Sequence, residues 1–277
     1  MSLAVYQPFP TLGLARGHIW RHQPATRRPR HFHAEPELNL VTAGSGKFGV
    51  GMTEIEVSAG DLLWWTPGQD HELLEASPDF DLFVIGLTSE FSDRVLGDQS
   101  STIYRGPALV RIDPSALMRF QQFCAAPVGR QDVTVIERHV GDFWREAQSH
   151  RSSAPNMHVL TRRSLAALLQ CPDLDRDRVA DLAGGYPSEV SRHFHKDMGV
   201  TLATYRTRLR LLRFIDRVDA GSDSLLAAAL DAGFGSYSQC QRSFQQTLAC
   251  TPKVYFATAI RQRMEEAFAP TGKLAAT

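Results

Sequence analysis

The sequence predicts an α+β chain of two domains. An amino-terminal β-barrel carries a helical hairpin, and an all-α domain follows, built from two similar helical units joined by one long helix. Three observations carry this reading. Apolar residues alternate at period two up to about residue 87, the mark of half-buried strands. From residue 113 they recur at helical spacing instead. Between residues 158 and 263 a short helix, a glycine turn and a second helix occur twice in succession.

The first texture consists of short apolar runs at 38–41, 48–52, 62–65 and 82–87, punctuated by Gly, Pro and Asp. Phe48, Val50 and Met52 alternate with small or polar residues, and Ile55 and Val57 alternate with Glu54 and Glu56. Many short strands with close turn signals predict a sandwich or barrel. Asp113-Pro114 then reads as an N-cap followed by Pro at the first helical position, with Leu117, Phe120 and Cys124 on one stripe. A second helix is expected over about 131–148, with Val133, Ile136, Val140, Phe143 and Trp144 aligned. Both stripes are too apolar for linkers and predict packing on the barrel or on a second copy of the chain. The polar segment 150–156, with Pro155, is the expected boundary. The domains are therefore 1–112, 113–150 and 151–277.

Composition narrows the class of function. A chain of 277 residues, 43% apolar and 22% charged, suits two soluble globular domains. No apolar run approaches membrane-spanning length, and the amino terminus lacks the pattern of a secretory signal. Cys124, Cys171, Cys240 and Cys250 form no CxxC pair, which fits reduced thiols in a cytoplasmic protein. The zero net charge hides an asymmetry. Residues 1–150 hold 13 Lys+Arg against 18 Asp+Glu, and 151–277 hold 17 against 12. A basic half joined to an acidic one suggests that one part alone meets nucleic acid.

In the first helical unit Arg176–Ala183 is the short helix, Gly184-Gly185-Tyr186 the turn, and Pro187–Met198 the next helix, stopped by Gly199. In the second, 224–232 is the short helix, capped by Asp223. Gly233-Phe234-Gly235 makes the turn and 236–248 the next helix. Val190, Phe194, Cys240 and Phe244 point inward; Arg, Gln and Ser occupy the outer faces, where they can read base edges or hold phosphates. The connector, 202–218, buries Leu202, Tyr205, Leu209 and Leu212. Arg206, Arg210, Arg213 and Arg217 share another face, and the first three are candidate phosphate contacts. His193 and His195 diverge on a helix and are not a metal pair.

These residues resemble the DNA-binding domain of the AraC/XylS transcriptional regulators. The pattern is carried by Pro187-Ser188, Ser191-Arg192, Phe194, Gly199, Tyr205 and Arg208-Leu209-Arg210. It continues through Ala229, Gly233-Phe234, Ser236, Arg242, Phe244, Thr251-Pro252 and Tyr255. The resemblance implies that the second helix of each unit is a recognition helix. By position, Ser188, Ser191, Arg192, Tyr237, Gln239, Gln241 and Arg242 are then the DNA contacts. The chain departs from the family at Cys240, where a large aromatic is usual, at Ala249, where glycine is usual, and at Phe256, where arginine is usual. The first unit also lacks the usual strongly apolar residues before Ala183.

In the amino-terminal half His31 and His33 share one face of a strand, Glu37 has the same parity, and His71 comes from another strand. The spacing of these four, with Gly44, Gly60, Pro67 and Gly68, resembles the two motifs of the cupin barrels. The resemblance implies either a divalent metal on His31, His33, Glu37 and His71, or a small organic effector beside them. Zinc, nickel, iron and manganese are not separated by this ligand set. Trp20 and one of Trp64 or Trp65, with Trp64 preferred, are the candidate pocket walls; consecutive strand residues face opposite sides, so Trp64 and Trp65 cannot both line the pocket.

The sequence thus predicts a transcriptional regulator that binds double-stranded DNA under control of a small-molecule or metal effector. A homodimer is expected, with RNA polymerase as a further partner and no membrane association. The rival is a metal-dependent cupin enzyme whose helical half serves assembly. No nucleophile elbow, phosphate loop or dinucleotide fingerprint supports an enzyme of another kind.

Overall fold

Alternation at period two places the amino-terminal strands in two sheets. The computed structural model describes residues 5–7, 17–22, 29–87, 108–125, 139, 141–142 and 157–257. One sheet has the order β1 (Val5–Tyr6), β3 (His31–Phe32), β8 (His71–Ala76), β5 (Ser45–Val50), β6 (Thr53–Ser58). The other runs β10 (Ala108–Arg111), β7 (Asp61–Trp65), β4 (Glu37–Ala43), β9 (Asp81–Leu87), β2 (Gly17–His22).

The cupin-like domain is built from these two facing sheets, and among the described residues no ladder joins them. The reason lies in the turns. The chain leaves one sheet for the other at Gly44, Gly60 and Gly68, all with left-handed backbone at φ 67°, 92° and 74°, which glycine adopts without steric penalty. Such sharp turns carry the chain across between sheets rather than along a continuous wall. Val41, Phe48, Val50, Ile55, Val57, Leu63, Trp65, Leu82 and Val84 fill the space between the sheets. Glu37 and Asn39 precede Val41 on the same inner face of β4, and both are buried.

Helix α1 (Pro114–Ala125) starts as anticipated. The Asp113 carboxylate accepts from the Ser115 backbone N–H at 2.8 Å, and Ala116 and Phe120 are buried. The expected second hairpin helix and the boundary segment 150–156 lie outside the described residues, apart from helical backbone at His139, Gly141 and Asp142.

The carboxy-terminal half is helical throughout its described length. Helix α2 (Val159–Gln170), which the sequence reading left unassigned, packs on α3 (Arg176–Ala183) and α4 (Pro187–Met198). The Asp175 carboxylate caps α3 by accepting from Arg178 N–H at 2.7 Å. Gly184 ends α3 and Gly199 ends α4 in left-handed conformations. The connector α5 (Leu202–Asp219) is capped by Thr201. Ser224, not Asp223, caps α6 (Leu225–Asp231), its hydroxyl accepting from Ala227 N–H at 3.1 Å. Ser236 caps α7 (Tyr237–Leu248), and α8 (Pro252–Ala257) follows. No described helix is long and apolar enough to cross a membrane.

The two departures at 240 and 256 sit in one aromatic neighbourhood. Cys240 is buried, which pushes its thiol up to about 12. Phe256 has ring centroids 6.1, 6.3 and 5.0 Å from those of Phe214, Phe244 and Tyr255. Ala249, where the family has glycine, holds φ 57° at the end of α7, the one non-glycine with positive φ among the described residues.

The halves are packed together. Tyr6 and Phe32 belong to the core of the helical half. The Tyr205 hydroxyl donates to the Pro67 carbonyl at 2.7 Å. At the β5–β6 turn, Gly51 meets the end of α4 backbone to backbone: a Cβ on Gly199 would lie 2.7 Å from the Gly51 Cα.

Candidate functional site

The three histidines converge at one end of the space between the sheets. His31 pairs with His71 across β3 and β8, while His33 follows β3 with the same parity. All three are buried, and their ligand atoms lie within 4.8 Å of one another. Each ring is anchored by its own stretch of chain. Nδ1 of His31 lies 2.8 Å from Pro29 O, Nδ1 of His33 2.8 Å from Glu35 O, and Nδ1 of His71 3.3 Å from Gln69 O. A carbonyl oxygen only accepts, so each Nδ1 carries a hydrogen and each Nε2 is the remaining ligand atom.

Two of those Nε2 atoms face a carboxylate. Glu37 Oε2 lies 2.8 Å from His33 Nε2 and 3.6 Å from His71 Nε2. A ring lone pair against a carboxylate requires a cation between them, either a proton that makes the ring an imidazolium or a metal ion. The residues therefore fit a divalent ion with nitrogen and oxygen ligands. Burial alone would raise the Glu37 carboxyl. The hydrogen bonds and charges of His33 and His71 outweigh it and hold the group well below its ordinary 4.5. Burial, then the neighbouring His71 and His33, keep His31 neutral well below 6.5.

A second layer fixes the carboxylate. Asn39 Nδ2 donates to Glu37 Oε1 at 2.5 Å, and Trp65 Nε1 donates to Asn39 Oδ1 at 2.8 Å. The Trp65 ring stacks on His71 with centroids 4.8 Å apart and planes 3° from parallel. Trp65, and not Trp64, is thus the tryptophan beside the site. Consecutive strand residues face opposite ways, and Trp64 is buried on the other face. The Trp20 side chain lies outside the described residues. A cavity of about 40 Å³ opens beside the histidines, lined also by His22, Asn39 and Phe48. The sequence reading missed His22 and Asn39. Parity with Glu37 could have flagged Asn39, whereas nothing local marks His22.

The helical half carries the other set of candidates. Ser188, Arg192, Gln239 and Arg242 are exposed, and Ser191, Tyr237 and Gln241 are half-buried, on α4 and α7 respectively. Gln239 Oε1 accepts from Gly235 N–H at 3.0 Å, so its side chain braces the turn before α7. The His193 ring stacks on that of His158 with centroids 3.6 Å apart, and His195 is exposed. Arg206, Arg210 and Arg213 are half-buried. Arg210 donates to the carbonyls of Pro172 and Asp173, both at 3.1 Å, and so ties the connector to the α2–α3 turn. That engagement takes up its Nε and Nη2.

The family comparison supports the regulator. Residues 16–132 match the model of the AraC-like ligand binding domain, and residues 179–258 match that of a helix-turn-helix domain. Together the two take in more than half of the chain. The protein belongs to the AraC family. Like other AraC-family regulators, it joins a cupin-like ligand-binding domain to a DNA-binding helix-turn-helix domain, and it is a DNA-binding transcriptional regulator.

Solved structures similar to this AraC-family chain include ToxT from Vibrio cholerae. It shares 14% identity over 87% of this chain and 97% of its own, with a TM-score of 0.44. The AraC-like transcriptional activator CuxR shares 11% over 78% of each chain, with a TM-score of 0.34. Oxalate decarboxylase of Bacillus subtilis is similar over 27% of this chain and 22% of its own, at 22% identity and a TM-score of 0.23. No curated protein matches the sequence.

Proposed function

We propose that this regulator takes a divalent cation as its effector, held by the Nε2 atoms of His31, His33 and His71 and by the Glu37 carboxylate. The observation that carries the reading is the set of three imidazoles whose Nδ1 atoms are all spoken for by backbone carbonyls, arranged around a buried carboxylate. Such anchoring orients ligands and raises their basicity. The cavity favours the same effector. About 40 Å³ has room for an ion and a water or two, whereas pockets for small organic ligands run to roughly 300–1,000 Å³. The bound cation would supply a fixed positive charge among three strands and no turnover: the site senses and does not catalyse.

On this reading α4 and α7 enter successive major-groove segments, roughly 34 Å apart. Ser188, Ser191 and Arg192 act from the first helix, and Tyr237, Gln241 and Arg242 from the second. The protein works in the cytoplasm as a homodimer assembled through residues 113–150, and it acts on RNA polymerase at the promoter.

The test uses the full chain. Its metal content is measured after purification and after Zn²⁺ titration, and a duplex is selected from a random pool with and without a chelator. One ion per chain is expected, with uptake lost in His33→Ala/His71→Ala and DNA affinity changed by the chelator. Metal content that stays the same in the double variant removes the site.

A further inference from the structure

We infer that a buried ion cluster of Arg30, Asp70 and Arg208 couples occupancy of the three-histidine site to the connector helix α5. The inference rests on the cation reading above and adds the route by which that site reaches the DNA-binding half.

The cluster spans the two halves. Asp70 Oδ1 accepts from Arg208 Nη1 of α5 at 2.8 Å, and Asp70 Oδ2 accepts from Arg30 Nη1 at 2.9 Å. The side chains of Arg30, Asp70 and Arg208 are 9%, 6% and 9% exposed. Arg30 also donates from Nε to Glu72 at 3.0 Å and from Nη1 to the Gly51 carbonyl at 2.9 Å. The Arg208 guanidinium lies 4.5 Å above the Phe32 ring. Two arginines and two carboxylates thus balance in a dry seam, an arrangement that is stable only while every partner is present.

What ties this seam to the histidines is strand alternation. Residues 30, 32, 70 and 72 face the helical half, and 31, 33 and 71 face the space between the sheets. The pairing of His31 with His71 sets both faces at once. Arg30 and Asp70 each immediately precede a ligand, and Phe32 lies between two. Arg30 and Asp70 stand immediately before β3 and β8, so the chain that would close on an ion runs directly into the chain that holds α5. The ligand atoms lie within 4.8 Å of one another; an ion that sits about 2.0–2.1 Å from each nitrogen sets their separations and so the approach of β3 to β8. The guanidinium of Arg208 must then follow Asp70 or release it. Because α5 joins α4 to the second unit, either response alters how the two units are held. By linkage, DNA binding must change cation affinity by the same factor.

The experiment measures that factor in the full chain. Zn²⁺ affinity is measured by competition with a chelating dye, on free protein and on protein saturated with the selected duplex. Wild type is expected to show a change of about 5-fold or more, matched by an equal change in DNA affinity with Zn²⁺. Arg208→Gln is expected to keep one Zn²⁺ per chain and reduce the factor below about 2-fold. This variant is chosen because Asp70 keeps Arg30, whereas removing Asp70 takes a carboxylate from both guanidiniums and leaves the buried Arg208 without one. Hydrogen exchange along α5 in wild type gives a readout that no variant's folding can compromise: Zn²⁺ should change the protection of residues 202–219. Zn²⁺ binding with neither linkage nor changed exchange overturns the coupling. Undiminished linkage in a folded Arg208→Gln overturns this route. Absence of Zn²⁺ uptake by wild type removes the cation reading itself, a different failure with its own signature.

Discussion

Replacing Gly199 with alanine tests whether the two halves meet backbone to backbone. Gly199 ends α4 at φ 70°, and holding an L-residue there costs about 1–2 kcal/mol. Alanine recovers roughly 0.5–1 kcal/mol through the smaller entropy of its unfolded chain. The new Cβ would also lie 2.7 Å from the Gly51 Cα and carbonyl carbon and 3.1 Å from the Met52 nitrogen. Ordinary carbon contacts sit at about 3.5–4.0 Å. The obstacle is main chain on both sides, so no rotamer change relieves it, and overpacking of this kind adds about 1–3 kcal/mol. The net expectation is a loss of about 2–3 kcal/mol. Ala249→Gly is the control: it relieves the same left-handed strain at φ 57° and should gain about 0.5–1 kcal/mol. Urea unfolding of the full chain, followed by far-ultraviolet circular dichroism, reads both. Tryptophan emission separates the halves, because all four tryptophans lie before residue 150. A Gly199→Ala loss below about 1 kcal/mol would show that backbone strain alone is at work and that the seam at Gly51 does not exist.

Other expectations are shorter. Arg192→Ala and Arg242→Ala should each weaken binding to the selected duplex by about 1–3 kcal/mol relative to random DNA; equal losses on both DNAs in a filter-binding assay would reduce them to phosphate contacts. Phe256→Ala should lower stability by about 2 kcal/mol, since it opens a gap beside three aromatic rings. Without metal, stability should decline as pH falls from 6.5, because His31 stays neutral in the fold while the unfolded chain takes up a proton. Glu37, depressed from 4.5, adds a further decline of the same sign at lower pH. Zn²⁺ affinity should fall in the same direction because protons compete for the ligands; a flat profile in thermal melts and dye competition would refute both.

What could be read from the chain beforehand depended on how local its causes are. Helices α3 and α4 begin and end where the sequence reading put them, since Asp175, Pro187, Gly184 and Gly199 act within one turn of themselves. The pairing of His31 with His33 was legible because parity along a strand is a local rule, whereas Glu37 and His71, on β4 and β8, joined the set through the resemblance to the cupin motifs. The division of the strands into two sheets was not, because three left-handed glycines turn the chain between sheets and their effect depends on which strands pair. Asp223 and Ser224 are both acceptable caps, and one residue of register decided for Ser224. Trp64 and Trp65 were a parity question that only the pairing of Glu37 with Trp65 resolves. Helical spacing put Arg210 on a face with Arg206, Arg213 and Arg217 but gave no sign of the carbonyls at the α2–α3 turn that it holds. Asp70 has no sequence signal, since its partner on α5 lies 138 positions away.

The docking of α5 on the sheet edge has a consequence for truncated forms. Cut loose near residue 150, the helical half would lay bare Tyr205, Leu209 and the Arg208 guanidinium, which the intact protein covers with Phe32, Gly68 and Asp70. That would hand the fragment a sticky cationic spot with no carboxylate to quiet it. Its grip on polyanions would gain a salt-sensitive, sequence-blind share. Occupancy curves from such a piece would therefore flatter its appetite for random DNA and understate the discrimination of the whole molecule.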